Sequence, residues 1–131
     1  SLVFQTLEKY ESAENCLIQQ IRTDRKIGNS EGLLRGYVNL GNNFSYTNQK
    51  MYAACYYKKA IRIANQLNIP AFKSTALFNL AEIYTDLGKT KSAQRTIKKL
   101  DEIFKNNPSI EKKKKTKELK IRIHNIKNKG V

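Results

Sequence analysis

The stretch Tyr37-Val38-Asn39-Leu40-Gly41-Asn42-Asn43-Phe44, followed by Ala53-Ala54-Cys55-Tyr56-Tyr57, decides how this chain folds. Forty residues later it returns as Leu77-Phe78-Asn79-Leu80-Ala81-Glu82-Ile83-Tyr84, then Ala93-Gln94-Arg95-Thr96-Ile97. Small residues fall on small ones: Gly41 on Ala81, and Ala13 on Ala53 and Ala93. Large apolar residues fall mostly on large ones, as with Leu17, Tyr57 and Ile97, or Phe4, Phe44 and Tyr84. Leu33 against Lys73 and Leu67 against Asn107 are the lapses. A fixed internal period of this length marks a repeat in which each unit is one supersecondary element.

Within a unit the apolar spacing is helical. Leu33, Leu34, Tyr37, Leu40, Gly41 and Phe44 follow the i, i+3/i+4 pattern that puts residues on one face of a helix. Tyr52, Ala53, Tyr56, Tyr57, Ala60, Ile61 and Ala64 form a second such run, and Asn68-Ile69-Pro70 closes it. The following unit repeats the scheme, with Gly88 suited to the left-handed position just past a helix end. Helix breaks are expected near 28–31, 47–50, 68–71, 87–90 and 106–109. Residues 1–7 align with the end of a first helix and 9–26 with a whole second helix. The expected order is therefore a partial first helix, two and a half helix pairs, and a final helix.

Tyr37-x-x-Leu40-Gly41-x-x-Phe44 with Ala53-x-x-x-Tyr57 resembles the tetratricopeptide signature. Leu77-x-x-Leu80-Ala81-x-x-Tyr84 with Ala93-x-x-x-Ile97 is a second copy. Gly41 or Ala81, facing Ala53 or Ala93, lets two helices cross closely while the aromatic residues fill the space beside them. The unit is longer than the family's ordinary 34 residues. Such long units resemble those of bacterial regulatory proteins, including peptide-pheromone receptors, and of eukaryotic adaptors that grip peptides. The resemblance implies an all-α, right-handed superhelical solenoid of antiparallel helix pairs. As a single domain over 1–131 it divides into a partial unit (1–28), two units (31–69 and 71–107) and a lysine-rich capping helix (109–128).

Composition narrows the function. Hydrophobic residues make up 40% of the chain, enough for a packed core. No stretch approaches the roughly 18 apolar residues that read as a membrane-spanning helix. The first ten residues lack the charged-then-apolar order of an export signal. Cys16 and Cys55 are not spaced as a metal or redox pair; both are expected to be small buried apolar residues, which favours a reducing, cytoplasmic setting. The net charge is +14, and from Lys98 onward twelve basic residues face four acidic ones. His124, the single histidine, aligns with Phe44 and Tyr84 and is expected to pack between helices rather than serve as a base. With no nucleophile–base pair, phosphate-cradling loop or metal-ligand cluster in the pattern, neither an enzyme nor a cofactor is expected.

What the resemblance implies is protein or peptide binding on a concave face lined by the first helices. By register that face holds Arg35, Val38, Asn39, Asn42, Ser45 and Tyr46 in one unit. In the next it holds Thr75, Phe78, Asn79, Glu82, Thr85 and Asp86. Asn39 and Asn79 are equivalent, and an amide offers two donors and an acceptor to the backbone of an extended peptide. They are equally readable as ordinary solvated polar residues. The family's carboxylate clamp is only partly matched: Asn42, Asn79 and Lys115 fall at clamp positions, while Val38 and Leu119 replace basic members. The run Glu111–Lys115, with Lys117, Lys120 and Arg122, suggests nucleic-acid or anionic-membrane contact, or simply a solubilising cap. A third possibility is a homo-oligomer formed through apolar end faces.

Overall fold

A left-handed turn residue recurs every twenty positions, and this sets the architecture. Gly28, Asn48, Asn68 and Gly88 have φ of 72°, 61°, 54° and 73°. Glycine, and asparagine after it, adopts this conformation at the least steric cost. The computed structural model describes residues 2–110 and 113–129, and six α-helices lie between and beyond these turns. They are α1 (Leu2–Ile27), α2 (Ser30–Tyr46), α3 (Lys50–Leu67), α4 (Pro70–Asp86), α5 (Thr90–Asn106) and α6 (Lys113–Lys129). No strand occurs among the described residues.

Three of the turns close alike. After α2, Asn48 N–H donates to the Ser45 carbonyl (3.1 Å) and Gln49 N–H to that of Phe44 (2.8 Å). Gly88 and Lys89 make the equivalent pair to Thr85 and Tyr84, and Gly28 and Asn29 to Arg25 and Asp24. This Schellman pattern satisfies carbonyls that the end of a helix would otherwise strand. At the next step of twenty stands Pro108, whose ring fixes a negative φ. That turn is built differently: the Asn107 side chain donates to the Ile103 carbonyl at 3.0 Å.

All five expected breaks are present. The expected partial first helix over 1–7 is not, because α1 runs unbroken from Leu2 to Ile27. The register explains the difference. Position 8 corresponds to Asn48 and Gly88 but holds Glu8, a good helix former that resists positive φ. Nothing there terminates the helix.

The chain forms two compact units, α1–α3 and α4–α6. In the first, α2 packs against both neighbours. A methyl placed on Gly41 would lie 2.6 Å from the Tyr57 ring, so only glycine lets α2 and α3 approach this closely. Leu40, Ala53, Tyr57, Ala60 and Ala64 are buried around that crossing. On the other side, a Cβ at Gly36 would lie 2.8 Å from Ile21 of α1, and one at Gly32 would collide with the Asp24 carboxylate. Asp24 is a charged residue in the core, only 2% exposed. It accepts from Gln20 Nε2 (3.1 Å) and Asn29 Nδ2 (3.4 Å), beside the first turn of α2, where the helix dipole favours negative charge.

In the second unit Ala81 and Ala93 are fully buried where α4 crosses α5, with Leu77, Leu80, Ile97 and Leu100 around them. Leu119 and Ile123 of α6 are buried with them. His124, expected between helices, is instead exposed, its Nε2 3.0 Å from Asn128 Nδ2. Its counterpart Phe44 is enclosed by Tyr52 and Tyr56 of α3 (ring centroids 5.4 and 5.5 Å). Cys16 and Cys55 are likewise exposed rather than buried. Position outweighs residue type here: Asn15 and Arg95, the counterparts of Cys55, are exposed as well.

Candidate functional site

The residues expected on the ligand face come from α2 in the first unit and from α4 and α6 in the second. On α2 they alternate between core and surface. Arg35, Asn39 and Tyr46 are exposed, while Val38 is buried. Asn42 and Ser45 are half-buried; Asn42 Oδ1 accepts from the Tyr57 hydroxyl at 2.5 Å, tying the amide to the α2–α3 crossing. Tyr46 stacks on Tyr10 (6.0 Å between centroids), and beside it Asn43 Nδ2 donates to the Tyr10 carbonyl at 3.0 Å.

On α4, Thr75, Asn79 and Glu82 are half-buried and Asp86 is exposed. Phe78 and Thr85 are buried, the Thr85 hydroxyl donating to the Ala81 carbonyl at 2.7 Å. Val38, Phe78 and Thr85 therefore belong to the packed interior in this structure. All three lie next to signature positions, and helices packed on more than one side bury more than one stripe.

The second unit also gathers charge. Arg122 of α6 pairs with Asp86 of α4 at 2.5 Å. Burial pushes the Glu82 carboxyl above its ordinary range, and Asp86 pushes in the same direction; Arg122 and Lys115 pull it back. Glu82, Asp86, Lys115 and Arg122 thus form one electrostatically coupled patch on α4 and α6, with Asn79 and Thr75 along the same helix. Sequence reasoning placed Lys115, Glu82 and Asp86 correctly on first-type helices but assigned Arg122 only to a basic run. The signal was available: Arg122 corresponds to Asn42 and Glu82, both positions of the expected ligand face. Leu119 stands where Asn39 and Asn79 stand and is buried, so the amide series stops at α4. Of the basic run itself, Glu111 and Lys112 lie outside the described residues.

The described residues include no group of three or more His, Cys, Asp or Glu side chains arranged to hold a metal ion. No described helix is long and apolar enough to cross a membrane.

No curated protein matches the chain. A family model, the tetratricopeptide repeat, matches residues 74–107, which take in most of α4, the Gly88 turn and all of α5. Tetratricopeptide repeats are as a rule non-catalytic modules that mediate protein–protein interaction. The matched segment contains the second signature copy, and the same helix–turn–helix plan is seen in α2 and α3. Residues 74–107 are thus similar to a tetratricopeptide repeat, and the six helices are consistent with a helical repeat of that kind.

Proposed function

We propose that the chain is a non-enzymatic peptide-binding module, a piece of a larger bacterial regulatory or adaptor protein, which holds an extended peptide against its first-type helices. One observation carries this reading: α4 and α6 present a patch of opposed charges, half-buried Glu82 and exposed Asp86 with the exposed Lys115 and Arg122, and α4 also carries the amide of Asn79. Such a patch offers donors and acceptors together, which suits a peptide backbone and its charged side chains better than a uniformly anionic ligand. Asn39, exposed at the equivalent place on α2, supports the same reading. Asparagine is a mediocre helix former, yet it stands mid-helix at the same register position in both units. Lys115 and Arg122 would attract acidic side chains or a terminal carboxylate, and Arg35 would do so on α2.

The experiment is selection from a displayed library of unstructured peptides, followed by titration of a selected peptide at several salt concentrations. A weak dependence of affinity on salt is expected. A steep linear loss with log[salt], matched by equally tight binding of a DNA duplex, would overturn the reading in favour of polyanion binding by α6.

A further inference from the structure

In the forty-residue register Glu82 of α4 stands between Asn42 of α2 and Arg122 of α6. In the first unit that position is satisfied from within, because Asn42 Oδ1 accepts from the Tyr57 hydroxyl of α3. The second unit has Ile97 where the first has Tyr57, a buried side chain with nothing to donate. Glu82 thus sets a carboxylate where its counterpart sets an amide, and it lacks the donor that holds that counterpart. Among the described residues it makes no hydrogen bond and joins no ion pair. The neighbouring charges do not compensate. Arg122 is paired with Asp86, which brings a second carboxylate one turn along α4. Lys115 is exposed and acts on Glu82 through space rather than through a bond. Burial and Asp86 together outweigh the two cations, so the Glu82 carboxyl titrates above its ordinary range. A half-buried carboxylate in this state gains from any further cation that reaches it.

Resting on the peptide-binding reading above, we propose that Glu82 receives a lysine or arginine side chain of the bound peptide, which makes a basic residue the peptide's anchor on the second unit. Placement supports this. Thr75, Asn79, Glu82 and Asp86 follow one another at i, i+4, i+7 and i+11, one stripe of a single helix. Glu82 therefore lies within one turn of the Asn79 amide. A backbone held by that amide can send a long side chain with a charged end to the carboxylate. Charge supports it as well. An acidic anchor at this point would meet two carboxylates, with Arg122 already engaged and Lys115 alone to offset them. A lysine or arginine is drawn by both carboxylates, and an arginine can give Glu82 two parallel N–H donors.

The test probes an array of random synthetic peptides, their N-termini acetylated so that only side chains supply a cation. The 131-residue chain is compared with Glu82→Gln and Glu82→Lys, and circular dichroism checks that all three fold. The unsubstituted chain should select peptides with lysine or arginine at one position. Replacing that residue by glutamine in the tightest peptide should weaken binding about fivefold to fiftyfold. Glu82→Gln should lose as much with the original peptide, and pairing it with the glutamine peptide should cost no more than either change alone. Glu82→Lys should select aspartate or glutamate at the same position. Peptides bound without a basic preference, or with one that Glu82→Gln retains, would overturn the role of Glu82 and leave peptide binding standing. Binding confined to a second array with free N-termini would assign Glu82 to a terminal ammonium and overturn the side-chain anchor. No peptide bound on either array would overturn the peptide-binding reading itself, and the anchor with it.

Discussion

α2 and α6 occupy the same place in the forty-residue register and are built from opposite chemistry. On α2 the side facing the next helix is Tyr37, Leu40, Gly41 and Phe44, all buried. On α6 it is Lys117, Lys120, Ile121 and His124, all exposed. Yet α6 keeps its other side apolar, with Leu119 and Ile123 at 3% exposure each. Register thus determines which way a residue faces, while the presence of a covering helix determines whether that residue must be apolar.

The comparison breaks most easily at its centre. Leu40→Ala, on the covered side of α2, should cost about 2–5 kcal/mol, because a residue 1% exposed leaves a cavity behind. Ile121→Ala, at the adjacent step of the same register on α6, should stay within about 0.5 kcal/mol. Chemical denaturation of both variants checks this, and similar losses would show that α6 is covered after all.

Overpacking gives a smaller effect on the same pairing. Ala53 is fully buried at the α2–α3 crossing, so Ala53→Leu should cost about 1–3 kcal/mol. A melting temperature equal to that of the unsubstituted chain would mean the crossing lies elsewhere.

The charged patch has a pH signature. With its folded-state pKa raised above the ordinary 4.5, Glu82 binds a proton more tightly when folded than when unfolded. Its contribution therefore favours the fold at pH below 4.5 and is lost as pH rises from there through the raised value. Glu82→Gln should remove that slope, making the variant relatively more stable near neutrality than in mild acid. Parallel denaturation curves of the two proteins from pH 4 to 7 would show the difference; identical slopes would refute it.

Much of the fold was legible because turns and crossings leave short-range marks. Gly88, Asn48 and Asn68 could be read as breaks, and Gly41 with Ala53 as a crossing, from the residues alone. The start of α1 was misread because alignment with a first helix ignored Glu8, which supplies no turn. Asp24 escaped notice although its register mates, Ala64 and Phe104, are both core residues. A carboxylate there is tolerated only through Gln20, Asn29 and the start of α2, a three-dimensional arrangement with no periodic trace. The exposure of Arg35, Asn39 and Lys115 and the half-burial of Asn79 and Glu82 were legible in outline, since these positions lie outside the buried signature. The burial of Val38 and Phe78 was not, because it depends on how many sides of a helix are packed. The exposure of Cys16, Cys55 and His124 follows from which sides lack a neighbour, something residue type does not encode.

The most direct test of peptide binding by the first-type helices is fluorescence anisotropy with a selected, labelled peptide. It would compare the unsubstituted chain with Asn39→Ala/Asn79→Ala and with Lys117→Ala/Lys120→Ala. With each lost backbone hydrogen bond worth about 0.5–1.5 kcal/mol, the asparagine variant should bind about fivefold to a hundredfold more weakly while folding as well or better. The lysine variant should bind as the unsubstituted chain does. Normal affinity in the asparagine variant, with binding lost in the lysine variant, would place the site on the exposed side of α6 and contradict the proposed function.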